Sequence, residues 1–152
     1  MRSQNSKRRG QSLVEATLIL LVFVSIFVGI IDLGQVLFIH QTLVERTRNA
    51  ARYGAVRPYD ALAMENMVLY ASPTPPPMPG NSEYAEGEVN HRPDGIFGLT
   101  PAMVDVQRFG VGSNDDRVVI TVSNYPFTFF SPLIARVVTG KPIMASLPYE
   151  GS

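Results

Sequence analysis

The chain has no cysteine, so neither a disulfide framework nor a thiolate metal site can form. An extracytoplasmic home stays open, but the fold there must stand without covalent staples. Histidine is scarce. His40 and His91 are the two, far apart in sequence, and they leave little material for a histidine-based metal or acid/base site. No glycine-rich phosphate loop is present, and no nucleophile, base and orienter can be nominated together. The sequence therefore points to a protein that is not an enzyme, with no cofactor, no metal and no small-molecule substrate. Charge is missing altogether from Ala16–Ile31.

The formal net charge of zero hides an uneven distribution. Arg2, Lys7, Arg8 and Arg9 lie ahead of the apolar run, and Arg46, Arg48, Arg52 and Arg57 lie just beyond it. Without the four leading residues, nine basic side chains would face thirteen acidic ones. An acidic soluble part argues against nucleic acid as a partner.

Residues 11–39 read as a transmembrane helix. Ala16–Ile31 alone spans roughly 24 Å at about 1.5 Å per residue, and Leu33 with Val36 to Ile39 extends it to match a hydrocarbon core of about 30 Å. It is too long for an ordinary cleaved signal, and no small-x-small cleavage site follows it. The same missing site argues against a twin-arginine signal at Arg8-Arg9. Residues 40–57 continue the helix outside the membrane. There Leu43, Thr47, Ala50 and Gly54 form one stripe, flanked by Val44 and Ala51, while Glu45, Arg46, Arg48 and Arg52 take the rest. Pro58 ends it. A continuous helix from Gln11 to Val56 would measure about 65–70 Å.

Residues 58–152 read as a small soluble α+β domain. Asp60 is a helix N-cap for Ala61–Ala71. The proline-rich linker 72–80 should be extended and semi-rigid. Asn81–Gly98 is an acidic loop with a turn at Arg92-Pro93-Asp94-Gly95. Val104 and Val106 alternate with polar residues. The turn-forming stretch Gly110–Asp116 and the β-branched Arg117–Ser123 follow, which together predict a hairpin. Thr100-Pro101 is a competing helix start running through Arg108; strand is the preferred reading. Ser131-Pro132 and Gly140 predict a short helix over Leu133–Thr139. Pro142–Leu147 reads as a third strand. The expected fold is thus a long transmembrane-plus-amphipathic helix carrying a small domain with a short antiparallel sheet.

Several side chains need more than this frame. Glu15 stands at the mouth of the apolar run, five residues after Gly10, and a carboxylate is costly in lipid unless it has a task. The bland alternative is an interfacial glutamate reaching for water. Ser25, Gly29, Asp32 and Val36 share a helical stripe, which suits either a helix–helix contact with a polar lock or an aspartate that meets water at the outer interface. The arginines from Arg46 to Arg57 suit lipid headgroups, an acidic patch such as Glu83–Glu88 on a neighbour, or a solvated face. Asn114-Asp115-Asp116 lacks the spacing of a calcium loop and reads as a hairpin tip. Tyr125 to Phe130 is a dense apolar patch expected to pack in the core against the long helix, with contact to a partner protein or the membrane surface as the alternative.

The order of basic tail, glycine, short polar bridge, glutamate and uninterrupted apolar helix resembles a type IV prepilin leader. More narrowly, Arg9-Gly10-Gln11-Ser12-Leu13-Val14-Glu15, the apolar run, Gly29-Ile30-Ile31-Asp32-Leu33-Gly34 and Gln41 to Gly54 resemble the TadE-like proteins of the tight adherence (Flp) pilus system. The resemblance covers about Gly10 to Gly54. It implies a basic leader, residues 1–10, cut between Gly10 and Gln11 by a prepilin peptidase on the cytoplasmic side. It implies partners in the membrane, among other pilins or pseudopilins, and at the pilus assembly platform. It implies a bacterial inner-membrane location with the N-terminus cytoplasmic, a placement that the near-tie of flanking basic residues does not decide. Gln11 is not the aromatic residue common at the first mature position of type IV pilins, and Ala16 is not the tyrosine of major Flp pilins. Both departures favour a minor pilin or pseudopilin. Glu15 would then compensate the new amine of Gln11 on a staggered neighbour and set axial register. The competing reading is a single-pass anchored extracytoplasmic binding module.

Overall fold

The computed structural model describes residues 4–76, 94–129 and 138–151. Element order is α1 (Gln4–Ala55), α2 (Ala61–Tyr70), β1 (Val104–Phe109), β2 (Arg117–Val122), β3 (Pro126–Phe127), β4 (Val138–Thr139) and β5 (Ile143–Pro148), with 3-10 turns at Ile96–Gly98 and Pro101–Met103. The architecture is α+β, a long apolar helix followed by a small domain with a short antiparallel sheet. The chain divides into two compact units, one holding α1 as far as Leu37, the other Phe38–Phe127 with the C-terminal strands.

In the first unit α1 exposes its apolar side chains on all sides from Leu13 to Phe27, and beyond that only Val28, Asp32, Gln35 and Val36 are covered or half-covered. Leu13, Leu18, Phe23, Ile26, Phe27, Ile30 and Leu33 all project outward. Such a segment suits a medium in which backbone groups must bond within the segment, as a helix lets them do. Its hydroxyls follow the same rule: Thr17 donates to the Leu13 carbonyl and Ser25 to the Leu21 carbonyl, both at 2.8 Å.

The second unit uses helix periodicity differently. Ile39, Leu43, Thr47, Ala50, Ala51, Gly54 and Ala55 are buried, the stripe expected from the sequence with Ile39 one turn earlier and Ala55 beside Gly54. Thr47 satisfies its buried hydroxyl on the Leu43 carbonyl at 2.7 Å. Gly54 is required by close approach, because a Cβ there would run into the Met64 side chain. Asp60 caps α2 as predicted, accepting from the Ala63 amide at 3.0 Å. The helix ends one residue short of the expected Ala71, which adopts the left-handed conformation (φ 57°) and closes the C-terminus onto the Met67 carbonyl.

The sheet order is β1-β2-β5, antiparallel throughout. Val118, Ile120 and Val122 of β2 are fully buried, and β1 and β5 begin on the buried Val104 and Ile143. The competing signals at Thr100-Pro101 are both used: Pro101–Met103 makes one 3-10 turn, and the strand starts at Val104.

One expectation fails at its end. The helix expected over Leu133–Thr139 cannot include Val138 and Thr139, which pair as β4 with Phe127 and Pro126. Two β-branched residues suit a ladder, and Gly140 beyond them permits close passage of the Tyr125 ring, which any Cβ would strike. Leu133 to Val137, the linker after Pro76, the loop up to Pro93 and Phe130 lie outside the described residues.

Candidate functional site

The residues expected to mark a leader and an assembly contact lie on α1. The helix begins at Gln4, earlier than the expected Gln11, and runs through Gly10 without a break. Gly10, Gln11 and Glu15 are exposed, and nothing lies within 4 Å of where a Gly10 Cβ would be. Gln11 and Glu15 are four residues apart and share a face. Glycine within a helix costs about 1 kcal/mol relative to alanine, so Gly10 weakens this stretch of helix locally.

Ser25 and Gly29 are exposed, and Gly29 has nothing within 4 Å of a would-be Cβ. Asp32, in contrast, is only 2% exposed and has a partner. The stripe therefore divides: two small residues leave an open surface, and the acid below them is withdrawn from solvent. The Oε1 of Gln35 is also buried and accepts no hydrogen bond among the described residues. Gly10 and Asp32 are 22 residues apart along one helix, roughly 33 Å, so these residues make a line of features and not one pocket.

The arginines beyond the apolar run separate into three roles. Arg46 turns inward and donates to the Val68 and Leu69 carbonyls at 3.3 and 3.1 Å. It thereby caps the C-terminal end of α2, where the helix dipole favours a cation, and burial pushes its pKa down. Arg57 stacks 4.4 Å from the Tyr53 ring centre and donates to its hydroxyl at 3.1 Å. Arg48 and Arg52 stay exposed on one face of α1 with Glu45.

Two clusters were not foreseen. His40 Nδ1 and the Tyr125 hydroxyl are 3.0 Å apart, and Tyr125 packs edge-on to Phe127 at 5.2 Å. Tyr125 and Phe127 are buried, as expected of that apolar patch, and burial pushes the Tyr125 hydroxyl pKa up. The second cluster is a clasp. Arg108 donates to Asp116 through two bonds of 2.8 and 2.6 Å and lies 3.7 Å from the Tyr149 ring centre. Asp116 also accepts from the Gly112 amide, and the Tyr149 amide donates to the Asp116 carbonyl at 2.9 Å. The guanidinium holds the Asp116 carboxyl below its ordinary pKa. The hairpin-tip acids thus serve the turn, with Asp115 contacting Arg117 at 3.5 Å. Asn114-Asp115-Asp116 marked the turn in sequence; nothing there marked Arg108 or Tyr149 as its partners.

Among the described residues, Gly10–Ala55 is the one helix long and apolar enough to cross a membrane, which suggests a membrane anchor. Residues 10–52 match the family model described as TadE-like protein, the family this segment resembles. No curated protein and no solved structure matches the chain. A TadE-like segment suggests a protein associated with the Tad pilus, and that family is not an enzyme family.

Proposed function

We propose that this chain is a minor pilin or pseudopilin of a tight adherence pilus system, cut between Gly10 and Gln11 by a prepilin peptidase and active through subunit packing in the membrane. The observation that carries the reading is the coincidence of three boundaries. The TadE-like match begins at residue 10, the described apolar exposure of α1 follows directly, and Gly10 is an open helical position with no side chain to hinder a peptidase.

In this reading the protein sits in a bacterial inner membrane with residues 1–10 cytoplasmic, residues 11–39 across the bilayer, and residues 40–57 leading to the extracytoplasmic domain 58–152. Its partners are the prepilin peptidase, other pilins or pseudopilins, and the assembly platform. Cleavage creates an amine at Gln11. Glu15, exposed on the same helix face, is placed to meet that amine on a neighbouring subunit, and Ser25 and Gly29 offer a close-packing surface farther along. A buried charge left unpaired costs several kcal/mol, so only the correctly staggered neighbour relieves it. N-terminal glutamine can cyclise and lose its amine, so the scheme requires methylation of the nitrogen to precede cyclisation.

Mass spectrometry of the mature N-terminus from the membrane fraction tests the reading. The expected chain begins at Gln11, and Gly10→Ala retains the leader. A wild-type chain that keeps Arg2 to Gly10 would refute processing. Loss of one ammonia from the mature terminus would remove the amine proposed to face Glu15. Unchanged incorporation of Glu15→Val into the pilus machinery would refute the part given to the carboxylate.

A further inference from the structure

The outer face of the β1–β2–β5 sheet forms a three-by-three grid. Its rows are Phe109–Arg117–Pro148, Gln107–Val119–Ser146 and Asp105–Thr121–Met144. Burial alternates along each strand, so these nine residues turn away from the covered face. Of the apolar members, Phe109, Val119 and Met144 fall on the diagonal of the grid, and Pro148 takes one corner off it. Phe109 is 45% and Met144 68% exposed. A concavity of about 430 Å³ lies across this face.

The two sides of the diagonal differ in charge. Asp105 and Gln107 lie on one side, where the Gln107 amide donates to Asp105 Oδ2 at 2.7 Å. That bond uses one of the two Gln107 N–H donors and leaves its oxygen as an acceptor beside a carboxylate. Arg117 lies on the other side. Its contact with Asp115 is 3.5 Å long, with both side chains well exposed, a pairing of little worth.

We propose that this face docks a second copy of the same chain about a two-fold axis running along the Phe109–Val119–Met144 diagonal. Rotation about that axis lays each residue of the diagonal on its counterpart and exchanges the two sides. Gln107, with Asp105 behind it, then comes over Arg117 of the second copy, and Thr121 comes over Ser146. Both exchanges occur twice, as an isologous contact requires. With about 4.8 Å between strands and about 6.8 Å between same-face neighbours, the diagonal lies roughly 35° from the strands. The two sets of strands therefore cross at about 70°, near the orthogonal class of sheet packing. The grid covers roughly 300 Å² by the same spacings, against about 800 Å² per partner in a standard stable interface. Pairing is thus weak between dispersed copies and is populated when anchoring in one membrane raises their effective concentration.

The absence of cysteine makes single thiols clean reporters. Full-length Val119→Cys in native membranes is treated with a bis-maleimide able to bridge the ~10 Å between facing sheets. The position on the axis should give about tenfold more homodimer than Leu62→Cys, an exposed α2 position off this face. Adding Arg117→Glu should lower the Val119→Cys yield, and further adding Gln107→Lys should restore it. Equal yields from Val119→Cys and Leu62→Cys would overturn the proposal. So would a yield indifferent to Arg117→Glu, or a Val119→Cys adduct to a different protein in place of the homodimer. The assay needs only the anchored chain, so its outcome is separate from whether Gln11 becomes the N-terminus.

Discussion

Residues 10–37 and 38–55 belong to one helix and answer to two different surroundings. The first stretch turns Leu18, Phe23, Ile26 and Ile30 outward, while the second hides Leu43, Thr47, Ala50 and Gly54. The backbone is the same. What differs is whether the apolar side chains surround the helix or collect on one side, and that decides whether lipid or protein must cover them. The comparison also explains the small residues. Gly29 looks out on open space, whereas Gly54 lies against Met64, so one glycine leaves a surface and the other is already spent on a contact.

The sharpest way to break this contrast is to remove volume from each half. Leu43→Ala should cost about 2–5 kcal/mol, the usual range for a fully buried leucine, read as a lower denaturant midpoint for protease resistance of the C-terminal domain. Leu20→Ala, in the exposed half, should leave that midpoint unchanged. Adding volume is the next test. Gly54→Val should destabilise the domain by about 1–3 kcal/mol through overpacking against Met64, whereas Gly29→Val should not alter domain stability in the same assay. Equal effects at either pair of sites would erase the distinction between the halves.

A smaller effect is expected at the cap that starts α2. Asp60→Ala removes the acceptor for the Ala63 amide and should cost about 1 kcal/mol, measured by chemical denaturation of the purified full-length chain. The smallest effect is conditional on pH. Asp116 has its folded-state pKa depressed by Arg108, so its contribution is present above the ordinary carboxylate range and is lost as pH falls through the depressed value. Domain stability should decline below about pH 4, and Asp116→Asn should flatten that part of the profile. An unchanged acid limb would remove the clasp from the account.

Much of the fold was legible because it depends on local patterns. The uncharged run, the 3.6-residue stripe after Gln41, the Asp60 cap and the β-branched strand Arg117–Val122 each carry their structure in neighbouring residues. The short pairing of β3 with β4 was not legible. Val138 and Thr139 also stand between helix-start and helix-stop signals, and only a partner about a dozen residues earlier draws them into a ladder. The same reason hid part of the candidate site. Arg46, Arg48, Arg52 and Arg57 look alike in sequence, yet Arg46 finds the end of α2, Arg57 finds Tyr53, and Arg48 and Arg52 stay exposed. Asp32 likewise could be placed on a stripe, but its withdrawal from solvent could not be read there.

Sequence by itself determined the partition of the chain: an apolar helix to be covered, an amphipathic continuation, and a small α+β domain that folds without disulfides. It also determined the TadE-like character of residues 10–52, since glycine, glutamate and apolar run follow one another within a few residues. Tertiary structure alone decided which polar groups meet across distance, His40 with Tyr125 and Arg108 with Asp116 and Tyr149. It also decided how Phe109, Val119 and Met144 align across three strands. Local order follows from neighbours a few residues apart, whereas these meetings depend on strand register and helix packing, which only the folded chain sets.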